Sequence, residues 1–161
     1  MIAQNPKVVP KIPAVHSTSF SGDTVELPRA LHGKVGVLVI GFSQSSRKAV
    51  EEWGKGLSAI YGSSPTVVYY EMPVLASVPR LLRGFVTSRI RAAVSEKARP
   101  HFVPLLQDED TWRELARCQA PDDAYVLLVD GVGVIQWQTQ GPPTEAGMSA
   151  LKHHVEALQR Q

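Results

Sequence analysis

Two serines and an arginine stand at a place in this sequence where side chains could do chemistry. Ser43, Ser46 and Arg47 follow directly after an apolar, β-branched run at residues 35–42, and apolar residues then recur at helical spacing. The run predicts a buried strand and the stripe predicts a helix, so the three side chains are expected at that helix's N-terminus. The free N–H groups and the dipole at such an end suit either a capping hydroxyl or a bound anion.

Three interpretations of the Ser43–Arg47 loop follow from the residue types. In the first, Ser43 or Ser45 caps the helix and has no further role. In the second, the hydroxyls, the helix dipole and Arg47 bind a small anion or a peptide carboxylate. In the third, a serine is a nucleophile, which requires a base and an oxyanion hole, and the sequence places no histidine nearby.

The other reactive or metal-binding residues form no recognisable constellation. Cys118 is the single cysteine of the chain, which excludes an intramolecular disulfide and any two-cysteine metal or redox site. A lone cysteine is most often packed as a small apolar side chain, and a reactive thiol is the alternative. His153 and His154 are adjacent, so on a helix they point about 100° apart. We therefore expect no metal ion and no cofactor.

Residues 77–99 concentrate the positive charge, with six basic residues and one acid, Glu96. Apolar residues recur at helical spacing and predict a helix that starts after Pro79 and continues until Pro100. Its apolar stripe either packs on the core, with the arginines merely solvated, or forms a basic amphipathic surface for an anionic membrane or an acidic partner. That surface would be formed by Arg80, Arg83, Arg89 and Arg91.

The surrounding sequence predicts one α/β domain over residues 14–161, preceded by an extended, proline-containing arm at residues 1–13. The predicted element order is β-β-β-α-β-α-β-α-β-β-α. The first two strands form a hairpin around Gly22, and Asp108 caps the third helix. A short strand is expected at residues 101–106.

The serine pair, the strand before it and the helix after it resemble the active-site segment of thioredoxin-like proteins, in which two cysteines stand at the positions of Ser43 and Ser46. The closing strands at residues 125–130 and 134–137, with a terminal helix, resemble the end of the same fold. The tyrosine-containing strand ending at Asp130, the strand ending at Trp137 and the basic segment are similar to the ATP10 family. The resemblance covers roughly residues 13 to 159.

This resemblance implies a thioredoxin-like fold, in which a central mixed sheet is flanked by helices and carries an N-terminal hairpin and an inserted basic helix. It also implies a role in assembling the membrane part of ATP synthase. Redox-active relatives have a cis-proline just before the strand at residues 124–130. Here that place falls near Asp123 or Ala124, and Pro121 comes a few residues too early. Serines form neither thiolates nor disulfides, so both halves of a redox site are missing.

Composition narrows the functional classes further. The net charge of +2 gives no reason to expect nucleic-acid binding, and no apolar run approaches the roughly 18 residues of a membrane span. We expect a non-redox binding or assembly factor with a protein partner, in peripheral contact with an anionic membrane, and not an enzyme. The alternative is a thioredoxin- or peroxiredoxin-like enzyme, or a small-anion-binding protein, that uses the loop at Ser43–Arg47. Cytoplasmic and exported locations both stay open.

Overall fold

A computed structural model describes residues 9–161 and confirms the α/β architecture. The expected order of elements is present except for the strand at residues 101–106. The strands are β1 (Val15–Thr18), β2 (Thr24–Leu27), β3 (Val35–Gly41), β4 (Val67–Pro73), β5 (Ala124–Val129) and β6 (Ile135–Gln140), and the helices are α1 (Arg47–Tyr61), α2 (Arg80–Ala93), α3 (Glu109–Ala116) and α4 (Glu145–Gln159).

The main sheet is mixed and has the strand order β4-β3-β5-β6. β3 pairs in parallel with β4 and antiparallel with β5, so the apolar run at Val35–Gly41 lies in the centre of the sheet, as predicted. All seven of its residues are buried, which explains why its sequence is continuously apolar instead of alternating.

Helices cover both faces of this sheet. On one face, α1 and α4 bury Trp53, Leu57 and Leu151 against β3 and β5. On the other face, Trp112 of α3 packs in a core shared with the β1–β2 hairpin. This arrangement holds the N-terminus of α1 at the carboxyl end of β3, where the loop at Ser43–Arg47 lies.

Residues 1–8 of the predicted N-terminal arm are not among the residues that the structure describes. The part that follows is docked along the turn between β5 and β6. The Ile12 N–H donates to Gly133 O at 2.9 Å, and the Ile135 N–H donates to Pro10 O at 2.9 Å. Ile12 is buried, so this part of the arm packs against the domain.

The predicted strand at residues 101–106 is wrong. Phe102 makes a single parallel bridge to Glu71 of β4, and Leu105 makes another to Val74 just after β4, without a continuous ladder. Pro104 lies between them. The N–H groups of Val103 and Leu105 point to β4, so the N–H that Pro104 lacks would lie on the outer side of the segment, where the proline prevents further strand pairing. The segment still covers the free edge of β4, because the N–H groups of Val103 and Leu105 donate to Glu71 O and Pro73 O.

The helix predicted to run from Pro79 to Pro100 is shorter than expected, because α2 ends at Ala93. Val94 takes an extended conformation, with φ of −98° and ψ of 132°. Its side chain is thereby buried against Phe20 and Phe102 in a small satellite cluster. This tertiary contact ends the helix at a point where the local sequence still has helical spacing.

Candidate functional site

Ser43 caps the first turn after β3, as the first interpretation of the loop predicts. Its Oγ accepts the N–H of Ser46 at 3.3 Å. The same hydroxyl lies 2.9 Å from Pro121 O and 2.9 Å from Asp122 Oδ1, and it has one proton to donate to these two acceptors. Ser43 therefore ties the start of α1 to the loop that precedes β5.

Pro121, which comes too early in the chain for the cis-proline of a redox site, nevertheless reaches the serine pair through its carbonyl oxygen. The Tyr125 hydroxyl accepts the N–H groups of Gln119 and Ala120 and donates to Ala120 O, which folds the loop back. Pro121 O thereby reaches Ser43. Within residues 9–161 the one cis peptide bond is Leu27–Pro28, so the peptide before Pro121 is trans.

Ser46 is almost completely buried, with 1% of its surface exposed. Its Oγ donates to Ser43 O at 2.7 Å. Gly41 leaves the room for it, because a Cβ at Gly41 would lie 2.6 Å from that Oγ. Both serine hydroxyls are thus engaged in holding the loop.

Arg47 carries a buried hydrogen-bond donor that is unused among the described residues. Its Nε lies 3.7 Å from Glu51 Oε1, one turn along α1. Its Nη2 is buried and has no hydrogen-bond partner among the described residues. The guanidinium therefore has a free donor beside the cavity next to the loop.

A cavity of about 510 Å³ separates this loop from α2. Phe42, Ser43 and Arg47 form one wall, and Phe85 and Ile90 of α2 belong to the other. The Asp122 carboxylate that reaches Ser43 is exposed at the surface, and no histidine among residues 9–161 hydrogen-bonds to Ser43. A serine nucleophile would accordingly have a carboxylate neighbour without the histidine that normally takes its proton.

Helix α2 does not pack on the core: no residue in it is buried. Of its large apolar side chains, Leu81 is 97% exposed, Phe85 is 64% exposed and Leu82 is 53% exposed. These exposures overturn the interpretation in which the apolar stripe joins the core. The inner residues of α2, such as Val86 and Ile90, are only partly buried.

The four arginines of α2 are not equivalent. The Arg83 guanidinium donates to Val78 O at 2.9 Å through Nε and to Ala76 O at 2.8 Å through Nη2, so it holds the preceding loop. The Arg89 guanidinium lies 5.8 Å from the centre of the Phe85 ring. The side chains of Arg80, Arg89 and Arg91 are all exposed.

Sequence reasoning missed Glu71. It lies on β4, is 4% exposed and lines a second cavity of about 610 Å³. Burial, reinforced by the charge of Glu51, raises the pKa of Glu71 to about 8. The signal that could have found it is a single acid within a strongly apolar and aromatic strand, residues 66–72.

The lone cysteine and the histidines occupy ordinary structural positions. Cys118 is half-buried, with its Sγ 3.7 Å from Arg113 Nη1. The His101 ring stacks on Tyr69, and the His154 ring stacks on Trp137. Residues 9–161 contain no group of three or more histidine, cysteine or acidic side chains placed to hold a metal ion.

Comparison with known proteins identifies the family. The model of the ATP10 protein family matches residues 8–158, which is nearly the whole chain. The chain belongs to the ATP10 family. Among curated proteins, none matches this ATP10-family chain.

Solved structures similar to this ATP10-family chain share its fold at low sequence identity. The exposed lipoprotein thioredoxin Etrx1 of Streptococcus pneumoniae is 9% identical with a TM-score of 0.63, over 89% of this chain and 99% of that one. StoA of Bacillus subtilis is 14% identical with a TM-score of 0.58, over 90% and 98%. BsSco, of the Sco family of cytochrome c oxidase assembly proteins, is 12% identical with a TM-score of 0.61, over 92% and 95%. The thioredoxin-like fold is thus confirmed.

Within residues 9–161 of this ATP10-family chain, no helix is long and apolar enough to cross a bilayer.

Proposed function

We propose that this protein is a non-redox, thioredoxin-like assembly factor that meets its client, the membrane part of ATP synthase, by docking α2 on an anionic membrane surface. Membership of the ATP10 family supports the assembly role and a protein partner. The non-redox part is supported by the serine pair, whose hydroxyls hold the loop, and by the presence of one cysteine. The observation that carries the membrane contact is the unburied apolar face of α2.

The geometry of α2 matches what an interfacial helix needs. With 100° between successive residues, Leu81 and Phe85 share the outward face. Arg80 and Arg91 fall on one flank of that face and Arg89 falls on the other. Apolar side chains would enter the acyl boundary while the guanidinium groups stay at the level of the lipid phosphates.

The positive charge of α2 favours an anionic membrane. Helix α2 contains four arginines and no acid. Each basic side chain near an anionic bilayer contributes about 1 kcal/mol, and salt screens that contribution. Arg83 is held by backbone carbonyls, so the proposal assigns the contact chiefly to Arg80, Arg89 and Arg91.

Vesicle sedimentation tests this proposal. The wild-type protein is expected to bind vesicles of phosphatidylglycerol mixed with phosphatidylcholine, and to bind pure phosphatidylcholine weakly. Replacing Arg80, Arg89 and Arg91 by Gln is expected to weaken binding on the order of 100-fold, at about 1 kcal/mol for each arginine. The matched control replaces three exposed lysines elsewhere by Gln and is expected to retain binding. These lysines are Lys11, Lys34 and Lys152.

Two results would overturn the membrane contact. The first is that the wild-type protein fails to bind anionic vesicles at low salt. An acidic protein would then be the remaining candidate partner of α2. The other is equal loss of binding in the arginine variant and the lysine control, since net charge alone would then explain it. Melting temperatures of both variants should stay close to that of the wild type, because none of the six side chains is buried.

The loop at Ser43, Ser46 and Arg47 supports a second candidate function, binding of a small anion or a peptide carboxylate. The observation that favours it is the buried, unpartnered Nη2 of Arg47 beside the 510 Å³ cavity. Titration with acetate and with inorganic phosphate, followed by the amide NMR signals of residues 43–48, tests it. Arg47→Gln is expected to abolish the response, whereas Arg160→Gln is the control. Equal responses in the two variants would eliminate this candidate.

A further inference from the structure

Glu71 is a buried acid without a partner. Its side chain lies on the same face of β4 as Tyr69, since the two residues are two positions apart in a strand. It is 4% exposed, and no described residue hydrogen-bonds to its carboxyl group. Buried carboxyl groups are normally hydrogen-bonded or paired. The fully enclosed side-chain N and O atoms without a partner among the described residues belong to Arg47 and Arg99, so the Glu71 carboxyl group opens onto the adjoining cavity.

Gly54 of α1 provides the space for this carboxyl group. A Cβ at Gly54 would overlap the carboxyl carbon and both oxygens of Glu71. A glycine in the interior of a helix makes the helix less stable than an alanine would. The helix therefore carries a local cost at the one position where the acid lies against it.

The carboxyl group lines a cavity of about 610 Å³ between α1 and residues 93–102. Glu51 and Ser58 of α1 line the same cavity, and so does His101, whose Nδ1 lies 3.1 Å from Tyr69 O. Two lysines, Lys55 from α1 and Lys97 from the opposite segment, also line it and are exposed to solvent. Neither lysine forms an ion pair with Glu71 among the described residues.

We propose that this cavity binds a primary ammonium group, such as a lysine side chain, with Glu71 and Glu51 as its counter-charges. An ammonium group has three donors, and the cavity offers three accepting side chains, the carboxyl groups of Glu71 and Glu51 and the hydroxyl of Ser58. The site lies apart from the outer face of α2, so it does not depend on membrane docking.

The charge state of Glu71 fits this role. Burial and the neighbouring Glu51 raise the pKa of Glu71 to about 8, so the empty cavity holds a protonated acid at neutral pH. An ammonium group that enters the cavity favours the carboxylate and releases that proton. Lys55 and Lys97 lie at the exposed rim, where solvent and salt screen their repulsion of an entering cation.

The probe for this site is n-pentylamine, which copies a lysine side chain, and 1-pentanol is its uncharged control of similar shape. The side-chain carboxyl carbon of Glu71 is followed by NMR as a function of pH. Saturating n-pentylamine is expected to lower the pKa of Glu71 by at least about one unit, and its apparent affinity is expected to rise about tenfold or more between pH 6 and pH 9. 1-Pentanol is expected to change neither quantity.

Variants separate this binding from nonspecific association. Glu71→Gln keeps the shape of the side chain and is expected to abolish n-pentylamine binding, while Glu51→Gln is expected to weaken it. Glu52→Gln removes an acid from the same helix that does not line the cavity, and it is expected to bind like the wild type. Equal affinity for the amine and the alcohol, or unchanged binding by Glu71→Gln, would overturn the proposal.

Discussion

At the scale of single residues, the hydroxyl groups of the serine pair, Ser43 and Ser46, hold the loop between β3 and α1. Ser43 is half-buried, whereas Ser46 is buried. Both hydroxyls act on the backbone of their own loop, and Ser43 also reaches the loop before β5. A hydroxyl that is already donating a hydrogen bond to a carbonyl is a poor nucleophile unless a base can take its proton.

The first prediction concerns this capping role. Ser43→Ala removes the acceptor for the Ser46 N–H and the donor to Pro121 O. We expect the free energy of unfolding to fall by about 1–2 kcal/mol, measured by urea denaturation. Ser45→Ala is the matched control, since Ser45 is exposed and its hydroxyl has no hydrogen bond among the described residues. Equal stability of the two variants would contradict the role.

The second prediction concerns the pH dependence of stability. The pKa of Glu71 is raised to about 8 from an ordinary value of 4.5. Between these two values the folded protein holds a proton that the unfolded chain has released, so the contribution of Glu71 to stability decreases as pH rises. Relative to Glu71→Gln, the free energy of unfolding of the wild type should fall by on the order of a few kcal/mol between pH 5 and pH 8, with little further change above pH 9.

Urea denaturation across this pH range measures the difference in free energy of unfolding between the wild type and Glu71→Gln. A difference that is flat from pH 5 to pH 8 would show that Glu71 titrates normally. A difference that grows in favour of the wild type would require a positive partner for the carboxylate. Glu52→Gln, measured in parallel, corrects for the general effect of removing one acid from the same region of the protein.

At the scale of elements, the main strands, α1 and α4 follow from the sequence because burial and local preference agree there. Helix α3 begins after Asp108, but the predicted cap is wrong, because Asp108 has a φ of 61° and its side chain makes no capping hydrogen bond. The continuously apolar run at Val35–Gly41 is a central strand, and the stripe containing Trp53 and Leu57 is the buried face of α1. Thr144, whose Oγ1 accepts the Gly147 N–H at 2.9 Å, marks the start of α4. Local signals and tertiary packing give the same answer in these segments.

Three features were not predictable, because distant residues decide them. The end of α2 is set by the burial of Val94 against Phe20 and Phe102. The approach of Pro121 to Ser43 depends on the hydroxyl of Tyr125. The third feature is the exposed apolar face of α2. The periodicity of the sequence is the same for a helix that packs on its own core and for one that presents its apolar face outward.

The same limit applies to the candidate site. The position of Ser43–Arg47 at a helix N-terminus could be derived from the strand-loop-helix pattern. The cavity over Glu71 could not, because β4 and α1 meet there only after folding. Nothing local to Gly54 or Glu71 shows that one residue makes room for the other.

The third prediction tests how α2 is attached. Arg83→Met keeps an apolar stem but loses the hydrogen bonds to Val78 O and Ala76 O. We expect severalfold faster amide exchange in the first turns of α2, which corresponds to about 1 kcal/mol in local stability. Arg80→Met is the control, because Arg80 is exposed and its guanidinium makes no described hydrogen bond. Identical exchange in the two variants would show that Arg83 does not anchor the helix.

At the scale of the whole molecule, charge is distributed asymmetrically. The net charge is +2, yet α2 alone contains four arginines and no acid, so the remaining residues are net negative. Such a separation orients the molecule in the field of an anionic surface, with α2 leading. The total charge of +2 conceals this separation.

The last prediction is that the molecule is insensitive to redox conditions. Cys118 is its single cysteine and is half-buried, with the Arg113 guanidinium beside its sulfur, so no intramolecular disulfide can form. We expect no reduction of insulin disulfides, and equal melting temperatures and vesicle binding in dithiothreitol and after treatment with diamide. Cys118→Ser, treated identically, reveals any effect of cross-linking between copies. Alkylating Cys118 should leave vesicle binding unchanged; a loss of binding in the wild type, absent from Cys118→Ser, would give the thiol a function and refute the non-redox assignment.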